Sequence, residues 1–174
     1  MDIKKLKKYM NFSTVFVIIL GTILHFTYQL SGENRFIAWF SAINESTWEH
    51  LKLVFFPMLF TIIMGYFYLG KNIPNFLCAK ILGTIVSMGF IVTFFYTYSG
   101  IIGKNIAFID ILSFFISVIL GEYLSYKFMI NNSKCNKKLA IIILIIIASS
   151  FIIFTFNPPD LGIFKDPTYM GISI

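Results

Sequence analysis

Five runs of about twenty mainly apolar residues fill most of this 174-residue chain, and a run of that length matches the hydrocarbon thickness of a bilayer. They fall at about residues 12–30, 47–69, 76–98, 106–128 and 139–156. The runs are long and continuous and lack the alternation of outer-membrane strands, so helices rather than a barrel are expected. The fold read from them is all-α: a polytopic membrane helix bundle of about five transmembrane helices, forming a single integral domain over residues 1–174.

Composition agrees. Hydrophobic residues make up 57% of the chain and charged residues 13%, more apolar than soluble domains, so the lipid bilayer is the natural solvent. The net charge of +6 does not indicate a nucleic-acid partner. Its cations sit in short clusters between apolar runs, where they meet anionic headgroups. One side collects Lys4, Lys5, Lys7, Lys8, Lys71, Lys80, Lys127, Lys134, Lys137 and Lys138, whereas the other holds Arg35, Lys104 and Lys165, with Lys52 just inside the second helix. This asymmetry predicts an N-terminus inside and a C-terminus outside a cell (cytoplasmic) membrane. No small-residue cleavage site follows the first apolar run, so that run is expected to be retained. Cys78 and Cys135 fall near cytoplasmic ends of spans, where thiols are expected to stay reduced without a disulfide.

Two outer segments are not simply polar. The connection 31–46 carries Phe36 to Phe40, too short to span but suited to the interface. The tail 157–174 carries Pro158, Pro159 and Pro167, which forbid a regular helix and predict an irregular cap.

Ionisable groups inside spans cost at least ~2.5–3.5 kcal/mol at the centre, which makes each a functional candidate. His25 lies in the outer half of the first helix; Glu49, His50 and Lys52 open the second; Asp110 starts the fourth. Glu122 stands apart in the inner half, within reach of Lys127 one turn on. His25 and His50 are the chain's only histidines, and topology places them at similar depth. Imidazoles on facing helices are a common means of ligating haem. The leading expectation is therefore a b-type haem in the outer half of the bundle between His25 and His50, with Arg35 and Lys52 pairing its propionates.

The stretch Asn44 to His50 has a plain reading as well. Ser46 and Glu49 fit a capping box, and Trp48 fits an interfacial anchor. A sharper alternative is a divalent metal such as zinc, held by Glu45, Glu49, His50, His25 and Asp110 in a metal-dependent intramembrane hydrolase. No zincin, nucleophile-elbow or P-loop pattern accompanies it. A cofactor-free structural or transport-accessory protein is the third class. No span has a clear Gly-x-x-x-Gly pair, although Gly21, Gly65, Gly83 and Gly89 are suited to close helix approach.

Asn44-Glu45-Ser46-Thr47-Trp48-Glu49-His50-Leu51-Lys52, Leu24-His25-Phe26-Thr27-Tyr28, and Pro158-Pro159 followed by Ile163-Phe164-Lys165-Asp166-Pro167 resemble a bacterial family of small multi-pass membrane proteins of unknown function, over nearly the whole chain. In overall likeness, and in having His25 and His50, the chain also resembles the clostridial haem-sensing membrane proteins. That resemblance implies haem capture at the membrane and defence against haem toxicity or oxidative stress. It assigns no axial ligands.

Overall fold

The computed structural model describes residues 2–167. Its framework is five long helices: α1 (Ile3–Leu30), α2 (Thr47–Tyr68), α3 (Phe76–Ile102), α4 (Ala107–Ile130) and α5 (Lys137–Phe156). All five are long and apolar enough to cross a membrane, and no strand occurs among the described residues. Four helices start within two residues of the expected positions. The first starts at Ile3 instead of residue 12, because the Asp2 side chain accepts the Lys5 N–H and caps the lysine-rich head as helix. At ~1.5 Å per residue its 28 residues reach ~42 Å, longer than the ~30 Å hydrocarbon core. The excess is long enough for the four lysines to reach a headgroup layer.

Helix α2 is the centre of the bundle and α5 its periphery: 56% of the spanning window is buried in α2, against 17% in α5. α1 packs on α2 and α4, α2 also on α3, and α5 lies against α3 and α2, while α3 and α4 share the most extensive interface. The buried stripe of α1 is Leu6, Met10, Ser13, Val17 and Gly21, at the three- and four-residue spacing of one helix face. Phe12, Val15, Ile19, Ile23 and Phe26 turn outward, an apolar surface suited to lipid. Continuing the inward stripe by one turn from Gly21 arrives at His25.

Small residues set the closest approaches. Gly83 of α3 faces Gly121 of α4, and a Cβ on either would strike the other's carbonyl oxygen and a serine hydroxyl. Ser87 Oγ donates to the Ser117 carbonyl and Ser125 Oγ to the Ala79 carbonyl, so this interface is packed at backbone level. Gly21 does the same for α1, whose backbone closes on the Leu53 carbonyl of α2. That carbonyl lacks its helical donor, because the residue four positions on is Pro57, which has no N–H.

Several expectations are corrected. Cys78 and Cys135 are not separate thiols: the α4–α5 connection folds back over the start of α3, bringing their Cα atoms to 5.8 Å in a disulfide, within the usual range. Glu122 pairs not with Lys127 but with Lys80, at 2.5 Å. Lys80 belongs to the interior, at 1% exposure, because it points between α1 and α4 and not into the headgroups. Trp48 packs on Phe151, Phe154 and Phe164, under the tail.

The connection 31–46 forms a single 3-10 turn at Ile37–Trp39. Ser41 fastens it to α1, donating to the Leu24 carbonyl and accepting from the Tyr28 N–H. The tail has a second such turn at Gly162–Phe164 and a Lys165–Asp160 ion pair. Asp166 accepts the Glu45 N–H, tying the tail to the α1–α2 connection. Positions 168–174 of the expected cap lie outside the described residues.

Candidate metal centre

The α1–α2 connection returns the chain so that the outer end of α1 faces the first turn of α2. Consequently His25 and His50 meet, their rings stacked with centroids 5.3 Å apart and 26° between planes. Glu45, just before the Ser46 cap of α2, completes the group. One donor atom from each of His25, Glu45 and His50 falls within 4.8 Å of the others.

The hydrogen bonding of His50 decides what its ring offers. Its Nδ1 lies 3.0 Å from the Ser46 carbonyl oxygen, which only accepts, so Nδ1 carries a hydrogen and donates. That leaves Nε2 facing the Glu45 carboxylate at 3.3 Å. In the neutral ring Nε2 is itself an acceptor, and two acceptors at this distance repel. The arrangement is satisfied either by a second proton on the ring or by a cation between Nε2 and the carboxylate. Two ligands at ~2.0–2.1 Å in a tetrahedral sphere sit ~3.4 Å apart, close to the observed separation. A backbone carbonyl on Nδ1 is also the usual support for a metal-bound imidazole. The site opens outward, with side-chain exposures of 31% for His50 and 49% for Glu45.

Glu45 lies outside the spans, and its carboxyl is held below the usual carboxylate range chiefly by the hydrogen bond from His50, with both histidines adding electrostatic help against partial desolvation. Asp110, in the first turn of α4, is near enough for its charge to act on His50 and Glu45. It accepts the Tyr98 hydroxyl of α3, which orients it. Asp110 is therefore a neighbour of the cluster and not one of its three donors.

The remaining sequence candidates go elsewhere. Glu49 turns away from His50 toward α5, where it pairs with Lys52 at 2.5 Å, accepts the Ile43 N–H and accepts from Thr155. Lys52 also donates to the Ala38 carbonyl and to Thr155, and its side chain is fully buried. Half of the capping box is present: the Ser46 hydroxyl accepts the Glu49 N–H, but the Ser46 N–H donates to Asn44. Arg35 lies over the Phe156 ring. Neither expected propionate partner thus joins the histidines. An apolar groove of about 360 Å³ does run beside them, between α1, α2 and the connection, lined by Leu24, Phe40, Phe56 and Phe60 among others. Neither histidine lines it.

A second polar cluster was not legible in the sequence. Lys80 of α3 donates to Ser13 of α1 (2.9 Å) and to Glu122 of α4, and Ser13 donates to the same Glu122 oxygen at 2.7 Å. The other carboxylate oxygen, Oε2, is buried without a hydrogen-bond partner. Tyr9 closes the inner side, its ring 5.7 Å from Lys80 Nζ and its hydroxyl donating to the Thr61 carbonyl. The signal available beforehand was the coexistence of Lys80 and Glu122 in adjacent apolar spans.

A five-helix membrane bundle with a His-Glu-His cluster at one mouth is the class of protein that fold and site define. The chain belongs to the family of unknown function DUF6512, whose profile matches residues 1–171. No curated protein and no solved structure is detectably similar to it.

Proposed function

We propose that this protein binds a transition-metal ion at the outer face of the membrane, with His25, His50 and Glu45 as the protein ligands. The observation that carries the reading is His50: its Nδ1 is committed to a carbonyl and its Nε2 faces a carboxylate across a gap of metal-bridging width. Two imidazoles and a carboxylate with open positions are a donor set used for zinc in hydrolases and for iron in oxygen chemistry. Such an ion supplies Lewis acidity, or lowers the pKa of bound water to ~7. Of the other carboxylates suggested for a hydrolase, Glu49 is engaged with Lys52, so Asp110, held by the Tyr98 hydroxyl, is the group best placed to handle a proton beside the cluster.

Haem is the second reading, supported by the convergence of the chain's only two histidines and by the aromatic groove nearby. Haem capture or defence against oxidative stress would follow from it. It requires the rings to part and address iron from opposite sides, whereas here they lie side by side, as suits ligands on one side of a bare ion.

The two readings separate in a single experiment. Protein purified from cells supplemented with haem, iron and zinc is measured by elemental analysis and by absorption. A bare ion predicts about one metal per chain, lost in H25A, H50A and E45A, with no Soret band. Haem predicts a Soret band lost in either histidine variant and kept in E45A. Neither metal nor Soret band under all conditions would sink both.

A further inference from the structure

The disulfide stands at the end of the molecule opposite the metal cluster, on the face where the lysines collect, and its surroundings are those of a reactive thiol. Cys135 directly precedes Asn136, whose side chain caps α5 by accepting the Leu139 N–H. A residue at this place feels the positive end of the helix dipole. Lys134, Lys137 and Lys138 surround it in sequence and are all exposed. From Tyr123 to Pro159 there is no Asp or Glu to offset them. Positive surroundings and partial exposure favour the thiolate, which is the nucleophilic form. Cys135 and Cys78 are both half-buried, open to small reagents yet held together by the fold.

The bond also lies where it would have a mechanical effect. The inner half of α5 is lightly packed: Ala140 is its one buried residue there, set with Ile62 of α2 and Ile81 of α3 and flanked by Leu77, Cys78, Ile143 and Leu144. The outer half is fixed by Phe151 and by Thr155 on the Glu49–Lys52 pair. A covalent link from Cys78 to Cys135 is therefore the principal clamp on one end of the least buried helix.

The lysine-rich face is by charge the cytoplasmic one, and a compartment that keeps thiols reduced holds disulfides chiefly as transient, regulatory bonds. We propose that Cys78 and Cys135 form a reversible redox pair at the cytoplasmic face, oxidised by a hydroperoxide and reduced by a cellular dithiol, which clamps or frees the inner end of α5. The Cys135 thiolate attacks a peroxide oxygen, giving a sulfenic acid and releasing hydroxide. The Cys78 thiol then attacks that sulfur, forming the disulfide and releasing water. Overall the two thiols give up two electrons and two protons, and one hydrogen peroxide becomes two waters.

The test uses the full-length protein in intact cells. Thiols are trapped by acid quenching and a maleimide-polyethylene-glycol reagent before, during and after exposure to hydrogen peroxide. The expected pattern is two adducts per chain, then none, then two again once peroxide is removed. A pair that is already oxidised in unchallenged cells, or that stays reduced under peroxide, overturns the proposal. In C78S the remaining Cys135 should be labelled by a dimedone probe on peroxide treatment, and by a membrane-impermeant maleimide in inverted vesicles only. Labelling in right-side-out vesicles would place the pair on the oxidising side and refute the cytoplasmic assignment.

Discussion

Replacing Lys80 by Met should be one of the most damaging single substitutions in the chain, and a second substitution should largely repair it. Lys80 and Glu122 are 1% and 3% exposed, their charged atoms are 2.5 Å apart, and one carboxylate oxygen already lacks a partner. Removing the ammonium takes two hydrogen bonds from this group and leaves a carboxylate that must stay charged among apolar helices or take up a proton. Breaking a buried pair from one side costs roughly 3–5 kcal/mol, whereas replacing both members by apolar residues of similar size is often near neutral. K80M should therefore cost about 3–5 kcal/mol and E122M a comparable amount, while K80M/E122M should fall far below their sum. With the double variant near neutral, the coupling equals the two single losses together, about 6–10 kcal/mol, well above the ~0.5–3 kcal/mol usual for residues in contact. Unfolding midpoints in mixed detergent, with helix content followed by circular dichroism, supply the cycle. If the double variant loses the sum of the single losses, the two groups are energetically independent and the ion pair is not what holds α1, α3 and α4 together.

Other consequences follow from the same packing. G121V should destabilise the bundle by about 1–3 kcal/mol or more, because its side chain enters the Gly83 carbonyl and Ser87 hydroxyl, whereas G89A, with open space around it, should be nearly silent in the same unfolding assay. K52M should behave like K80M, since Lys52 is buried on Glu49. The pH dependence of metal retention should report imidazole and not carboxylate. Glu45 is depressed by His50, so its contribution is present above the ordinary carboxylate pKa and disappears only as pH falls through the lower folded value. Protons compete with the ion for the two imidazoles as pH falls below the histidine range, so apparent metal affinity in equilibrium dialysis should drop steadily there, and E45Q, by weakening binding, should move metal loss to higher pH. Affinity that stays flat across the histidine range and falls only as carboxylates protonate would point to carboxylates instead.

The spans were plain in the sequence because a bilayer demands continuous apolar length, and that demand is local. The meeting of His25 with His50 was legible for a related reason, as one helix ends at the depth where the next begins. What escaped the sequence depended on side-chain direction across helices. Glu49 and His50 are adjacent, yet a helix sends them to α5 and to α1 respectively, so one entered an ion pair and the other the metal cluster. Lys80 looked like a headgroup lysine because it lies near a helix end; its inward direction is fixed by Ser13 and Glu122 on two other helices. Gly121 gives no sequence signal of close packing, because its partner Gly83 lies across the interface and not four residues away. The cysteines were separated by charge reasoning about compartment, which says nothing of the 5.8 Å between their Cα atoms.

The most direct test of the metal-site account is the metal content of the purified wild-type protein beside that of H50A and E45A, measured after growth with zinc and iron. The account predicts close to one transition-metal ion per wild-type chain and almost none in either variant, with the helix content of all three unchanged. Metal retained in H50A, or absent from wild type, would contradict it.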